Sequence, residues 1–162
     1  MSNSYEVDIW NAIKAKLVAA QAVGQPLSYV ATTSLFEGLR PIPVNCAPAI
    51  VMEPGQTVDQ FFLEPNGVKA LHRMMVFCIV NHAVVSKGIL GDSTQNFVGI
   101  LDLASAVKNV LQADQKLGGA SGGRITKVRF PLTQYVPPSA DYPMREAHIT
   151  VEVEVQLTTT TR

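Results

Sequence analysis

The chain has 162 residues, 47% hydrophobic and 16% charged, which is enough apolar material for a core and too little charge for a disordered chain. Lys plus Arg balances Asp plus Glu at 13 each, so no bulk field draws the protein toward nucleic acid or an anionic membrane, and little self-repulsion opposes contact between copies. The opening MSNSYEVDIW lacks the basic-then-apolar pattern of a signal peptide, no run of about eighteen apolar residues occurs, and the two cysteines, Cys46 and Cys78, read as reduced thiols of a cytoplasmic chain.

Asn3 or Ser4 is placed to cap a first helix, in which Ile9, Trp10, Ile13, Leu17 and Ala20 recur at three- and four-residue steps. Gly24 and Pro26 predict its end near residue 23. LSYVATT (27–33) reads as a short strand, and EGLRPIPVNCAP (37–48) as loop because of its three prolines. AIVME (49–53) reads as a strand stopped by the turn pair Pro54-Gly55. Residues 56–67 then form an extended connection or hairpin tip, with Phe61, Phe62 and Leu63 available to pack and Asn66-Gly67 to turn.

The segment 68–85 holds the longest apolar run, Met74 through Val80, and its β-branched and aromatic residues predict a long strand. KGILGDSTQN (87–96) reads as loop, with Ser93 or Thr94 capping a second helix striped by Phe97, Ile100, Leu101, Ala104, Val107 and Leu111. LGGASGG (117–123) is too rich in glycine for regular structure. A strand RITKVRFPL (124–132), a proline-bearing loop and a final strand from about Met144 to Thr158 complete the chain. The order predicts one α+β domain over 1–162: a mostly antiparallel sheet of long strands, two helices on one face, and flexible loops near 56–67, 86–95 and 117–123.

The final strand alternates cleanly. Ala147, Ile149, Val151, Val153, Val155 and Leu157 point one way, and Glu146, His148, Thr150, Glu152, Glu154 and Gln156 the other. The central strand does not alternate: Met75, Phe77 and Ile79 lie on one face and Met74, Val76, Cys78 and Val80 on the other. Two helices cover one face, so the second needs a cover, either a neighbouring copy or the loops 37–48 and 56–67. Met74, Val76, Cys78 and Val80 are the candidate subunit interface.

Chemistry-bearing residues are sparse. His72, His82 and His148 share no metal-ligand spacing, and His72 and His82 fall on one strand face but ten residues apart. Asp102 reads as solvated beside a helical stripe. Glu152 and Glu154, about 7 Å apart by strand geometry, suit a carboxylate pair but are commoner as solubility devices on an exposed strand. GGASGG fits neither a phosphate loop nor a dinucleotide fingerprint, and Ser121 lacks the flanks of a nucleophile elbow. Lys69, Arg73, Arg124, Lys127 and Arg129 form no dense basic patch along the chain. No catalytic residue, metal or cofactor is expected.

Five segments together carry a resemblance: the helix VDIWNAIKAKLVAA, the strand and turn AIVMEPGQ, the long strand VKALHRMMVFCIVNHAVV, the helix FVGILDLASAVKNVLQ, and the closing GGRITKVRFPL…REAHITVEVEVQL. In this order the chain resembles the tail terminator proteins of long-tailed bacteriophages, the minor tail protein U group and related neck proteins. The proline-rich 37–48 and the loop 137–143 have no counterpart in that pattern. The resemblance implies a virion protein, assembled in the host cytoplasm, that forms a hexameric ring. Such a ring caps the tail tube, ends its polymerisation and joins the tail to the head connector. Its implied partners are further copies of itself, the tube protein, the connector or stopper, and double-stranded DNA passing through the lumen without specific binding; no membrane is implied. It implies no catalysis. Glu152 and Glu154 are the candidate lumen-facing residues, placed to repel phosphates. A head–tail connector, stopper or tail completion protein stands as one alternative reading, and a small-molecule-binding α+β domain as another.

Overall fold

A computed structural model of the chain describes residues 4–38, 41–61 and 67–158. Helix α1 (Tyr5–Ala20) starts where Ser4 Oγ accepts from Val7 N at 3.4 Å, with Glu6 and Asp8 in its first turn complementing the helix dipole. Its buried residues, Ile9, Ile13, Leu17 and Ala20, are the apolar stripe read from the sequence, and Trp10 is half-buried beside them. The helix ends three residues before the expected point. The next ten residues form turns, which Gln21 holds by donating from Nε2 to Ala31 O at 2.9 Å.

The strand expected at 27–33 is absent. Leu27 and Val30 are buried, but within a turn closed by Val30 N donating to Leu27 O at 2.9 Å. The strand lies later, as β1 (Leu35–Glu37). Glu37 ties it to α1: Trp10 Nε1 donates to Glu37 Oε2 at 2.6 Å, and Lys14 Nζ binds the other carboxylate oxygen. These partners, Lys14 first, hold the Glu37 carboxyl below its usual range.

Strand β2 (Ala49–Phe61) does not stop at Pro54-Gly55. It crosses the pair with a register shift against β3 between Pro54 and Thr57. A bulge accommodates a residue with no N–H, and glycine lets the backbone lie close. A Cβ on Gly55 would sit 2.3 Å from Arg73 O. Residues 56–61 therefore continue the strand, while Phe62, Leu63 and Asn66 fall outside the described residues.

Strand β3 (Gly67–Val80) is the long central strand and ends before His82, so His72 and His82 do not share it. The expected loop 87–96 instead contains a short helix α2 (Val85–Leu90) and a 3₁₀ turn at Ser93–Gln95 capped by Asp92. Lys87 Nζ at 2.6 Å from Asp92 Oδ2, together with Thr94 N and Oγ1 on Oδ1, holds the Asp92 carboxyl down at about 2. Helix α3 (Ile100–Gln112) then starts at Gly99, not at Ser93 or Thr94, and buries Ile100, Leu103, Ala104, Val107 and Leu111. Leu101 turns outward at 39% exposure. Gly99 lies so close to Ile89 O that a Cβ would stand 2.3 Å away, which explains a capping position without a capping side chain.

The glycine-rich 117–123 is a compact turn with Gly118, Gly119, Ser121 and Gly122 in left-handed conformations. Strands β4 (Ile125–Val136) and β5 (Arg145–Thr158) complete a five-stranded sheet in the order β1-β2-β3-β5-β4. Only the β1–β2 pair is parallel. The chain is thus α+β, with α1 and α3 packed on one face of a mainly antiparallel sheet. No helix among the described residues is long and apolar enough to cross a membrane.

Candidate assembly surface

The helix layer covers one face of the sheet. Its core takes Met74, Val76, Cys78 and Val80 of β3 and Ala147, Ile149, Val151, Val153 and Val155 of β5, all at 0% exposure, together with the stripes of α1 and α3. This corrects the interface expected from the sequence. Met74, Val76, Cys78 and Val80 are the residues that the chain's own helices shield, and they have no surface to offer a second copy. Burial pushes the Cys78 thiol up to about 12.

The opposite, outer face is read row by row from the strand pairing. Ala49, Ile79, Glu146 and Val136 lie side by side, then Val51, Phe77, His148 and Gln134, then Glu53, Met75, Thr150 and Leu132. Beyond the bulges come Arg73, Glu152 and Arg129, and then Val58, Leu71, Glu154 and Lys127. This face has two halves.

The first half is a small second core. Ile42, Ala49, Val51, Phe77, Ile79 and Met144 are buried there, with Phe36, Cys46, Ala47 and Tyr142 packed around them. Of the loops expected as a cover for this face, the proline-rich one supplies it, joined by the loop before β5; residues 56–61 do not, because they continue strand β2. His148 is half-buried here rather than solvent-facing. Its ring meets Phe77 edge-on at 4.5 Å, and its Nε2 lies 2.5 Å from Glu146 Oε2. Cys46 belongs to this core and Cys78 to the other, so the two thiols sit on opposite faces of the sheet.

The second half is polar. Glu152, 6% exposed, is shared between two arginines: Arg73 Nε donates to Oε2 at 2.8 Å, and Arg129 Nε lies 3.4 Å from Oε1, an ion-pair distance. Glu154 receives Arg129 Nη2 at 3.0 Å, Thr126 Oγ1 at 2.8 Å and the ammonium of Lys69. Burial raises the Glu154 carboxyl, but Lys69, Thr126 and the Arg129 charge outweigh it and hold the group below its usual value. Glu152 and Glu154 do share one face, as expected. They are not a free acidic strip, because Lys69, Arg73 and Arg129 neutralise them where they stand.

The same face gathers residues that the linear sequence scattered. Lys69 and Arg73 come from β3, and Lys127 and Arg129 from β4, each pair at a spacing that keeps both on one face. That spacing was a usable signal; the register that sets each basic residue beside its glutamate was not.

His72, on the helix face, is lowered by burial, with Glu6 opposing. Its Nδ1 lies 2.9 Å from Thr57 Oγ1, which donates in turn to Glu6 Oε1 at 2.9 Å. His82 Nδ1 accepts from Val84 N at 3.0 Å. Asp102 is exposed in the first turn of α3. Among the described residues, no three His, Cys, Asp or Glu side chains are grouped to hold a metal. A cleft of about 500 Å³ opens beside β4, lined in part by Gln112, Gln115, Lys127, Arg129 and Glu152.

No family model matches this chain, and neither does any curated protein. Solved structures do match. A chain from the virion of a native gene transfer agent particle superposes with a TM-score of 0.67 at 18% identity, over 96% of this chain and 100% of that one. The likeness establishes a shared fold across essentially the whole of both chains.

Proposed function

We propose that this chain is a structural protein of a virion, and within that class a ring-forming tail terminator or neck subunit. The observation that carries the proposal is the match to a virion chain, which covers 96% of this chain and 100% of that one. The order of helices and strands, which resembles the tail terminators, supports the finer reading. In that reading the subunits close into a hexameric ring, one ring face meets the tail tube, the other meets the head connector, and DNA passes through the lumen. Function then resides in interface geometry.

The outer face is consistent with such a role. Its ion pairs leave no uncompensated acidic strip, so easy passage of DNA does not rest on Glu152 and Glu154 repelling phosphates. Size-exclusion chromatography with light scattering, followed by negative-stain microscopy of the full chain, tests the proposal. The expected result is a closed ring of several copies. A strict monomer at high protein concentration overturns it.

A further inference from the structure

The sheet is capped unevenly at its two edges. β1 pairs only with Ile50–Met52 of β2, so the rest of that strand, as far as Phe61, has no further strand beside it among the described residues. At the other edge, no strand lies beyond β4 among the described residues, and one of its amides, Val128 N, is met by a side chain, Gln115 Oε1 at 2.9 Å. Unpaired edge backbone is a template for another strand.

Three features select the occupant. The first is charge. Residues 53–61 of β2 include Glu53 and Asp59 and no basic residue, whereas β4 includes Lys127 and Arg129 and no acidic one. The second is direction. β2, β3, β5 and β4 alternate, so a copy placed edge to edge in the same orientation sets its β2 antiparallel to this chain's β4. The third is level. Val58 and Lys127 stand in one row of the sheet through Leu71 and Glu154, both side chains are exposed, and both belong to the outer face. The bulges at Pro54–Thr57 and Arg129–Leu132 also fall at neighbouring rows, and a further shift lies between Ile125 and Lys127, which leaves 57–61 and 127–129 as the regular lengths on each edge.

We infer that the subunits join by sheet extension: the free edge of one copy's β2, at 57–61, pairs with β4 around 127–129 in the next. The contact is heterologous, acidic edge to basic edge, and it displaces the Gln115 cap from Val128 N. Repeated with rotation it closes a ring. This rests on the ring reading above and adds which surfaces make the ring.

The test is a cysteine pair across the join. Val58→Cys and Lys127→Cys, combined with Cys46→Ser, would face each other as cross-strand neighbours, at a separation that a disulfide spans. Mild oxidation of the full chain is expected to give a covalent ladder from dimer upward, and either single-cysteine variant at most a dimer. Lys127→Glu, an exposed change that sets acid against acid, is expected to weaken association at least tenfold and to be sensitive to salt. A wild-type chain that stays monomeric sinks the ring and the join together. A wild-type ring that gives no ladder and is unmoved by Lys127→Glu sinks the join alone.

Discussion

The two faces of β3 are built from the same apolar stretch, yet they are buried in different ways. Met74, Val76, Cys78 and Val80 lie under a continuous helix layer shared with β5. Phe77 and Ile79 lie under loops carrying Ile42 and Met144, Met75 is half-buried at their margin, and past it the face turns to ion pairs. A strand that is apolar on both sides thus does not by itself require a second subunit. Proline-rich loops are a sufficient cover when only a short stretch is apolar.

The contrast can be broken most forcefully in the helix layer. Leu103→Ala should cost about 3 kcal/mol, because Leu103 is fully buried and α3 cannot collapse onto the sheet. Met75→Ala on the half-buried margin should cost about 1 kcal/mol or less. Urea unfolding midpoints measure both, and equal costs would erase the distinction between the faces.

The loop cover is tested by Ile42→Ala, with an expected loss of about 2 kcal/mol. Ile42 is 4% exposed although it lies in a loop. A loss near zero would mean that the loop is not a core element. Thiol labelling reports on the same cover: half-buried Cys46 should react under native conditions, while Cys78 should stay protected until global unfolding.

A smaller effect is expected in the polar half. Glu152→Gln leaves Arg73 and Arg129 side by side without their shared acceptor, and should cost about 1–2 kcal/mol, diminished by salt. If stability were unchanged at low salt, the network would be decorative.

The smallest effect is a pH dependence. Asp92 is held at about 2 in the fold, below its unfolded value of about 3.9. A depressed carboxyl contributes stability that is complete above the unfolded value and is lost as pH falls through the folded one. Asp92→Asn should therefore flatten the stability profile between about pH 4 and pH 2. A profile identical to that of the parent chain would show that the Lys87 and Thr94 contacts do not bias the fold.

Periodic segments were the legible ones. The stripe of α1, most of that of α3, the long strand within 68–85, which ends at Val80, and the alternation of β5 could be read directly, because burial on one face writes a period of 3.6 or 2 into the chain. Turn chemistry misled at Pro54-Gly55, where a bulge absorbed a pair that usually ends a strand, and at Ser93-Thr94, which form a separate 3₁₀ turn capped by Asp92 while the helix starts at Gly99. The candidate interface residues were correctly placed together on one strand face. Which face the helices would choose was not readable, since both were equally apolar, and neither was the way Lys69, Arg73 and Arg129 would meet the two glutamates.

Local pattern alone determined that this chain has two amphipathic helices and several long strands, because those properties depend on residues a few positions apart. Only the tertiary structure decided which side of β3 the helices cover, that a proline-rich loop is part of the core, and which charges neutralise which. Those outcomes depend on strand register and on contacts between residues far apart in the chain, and neither leaves a period in the sequence.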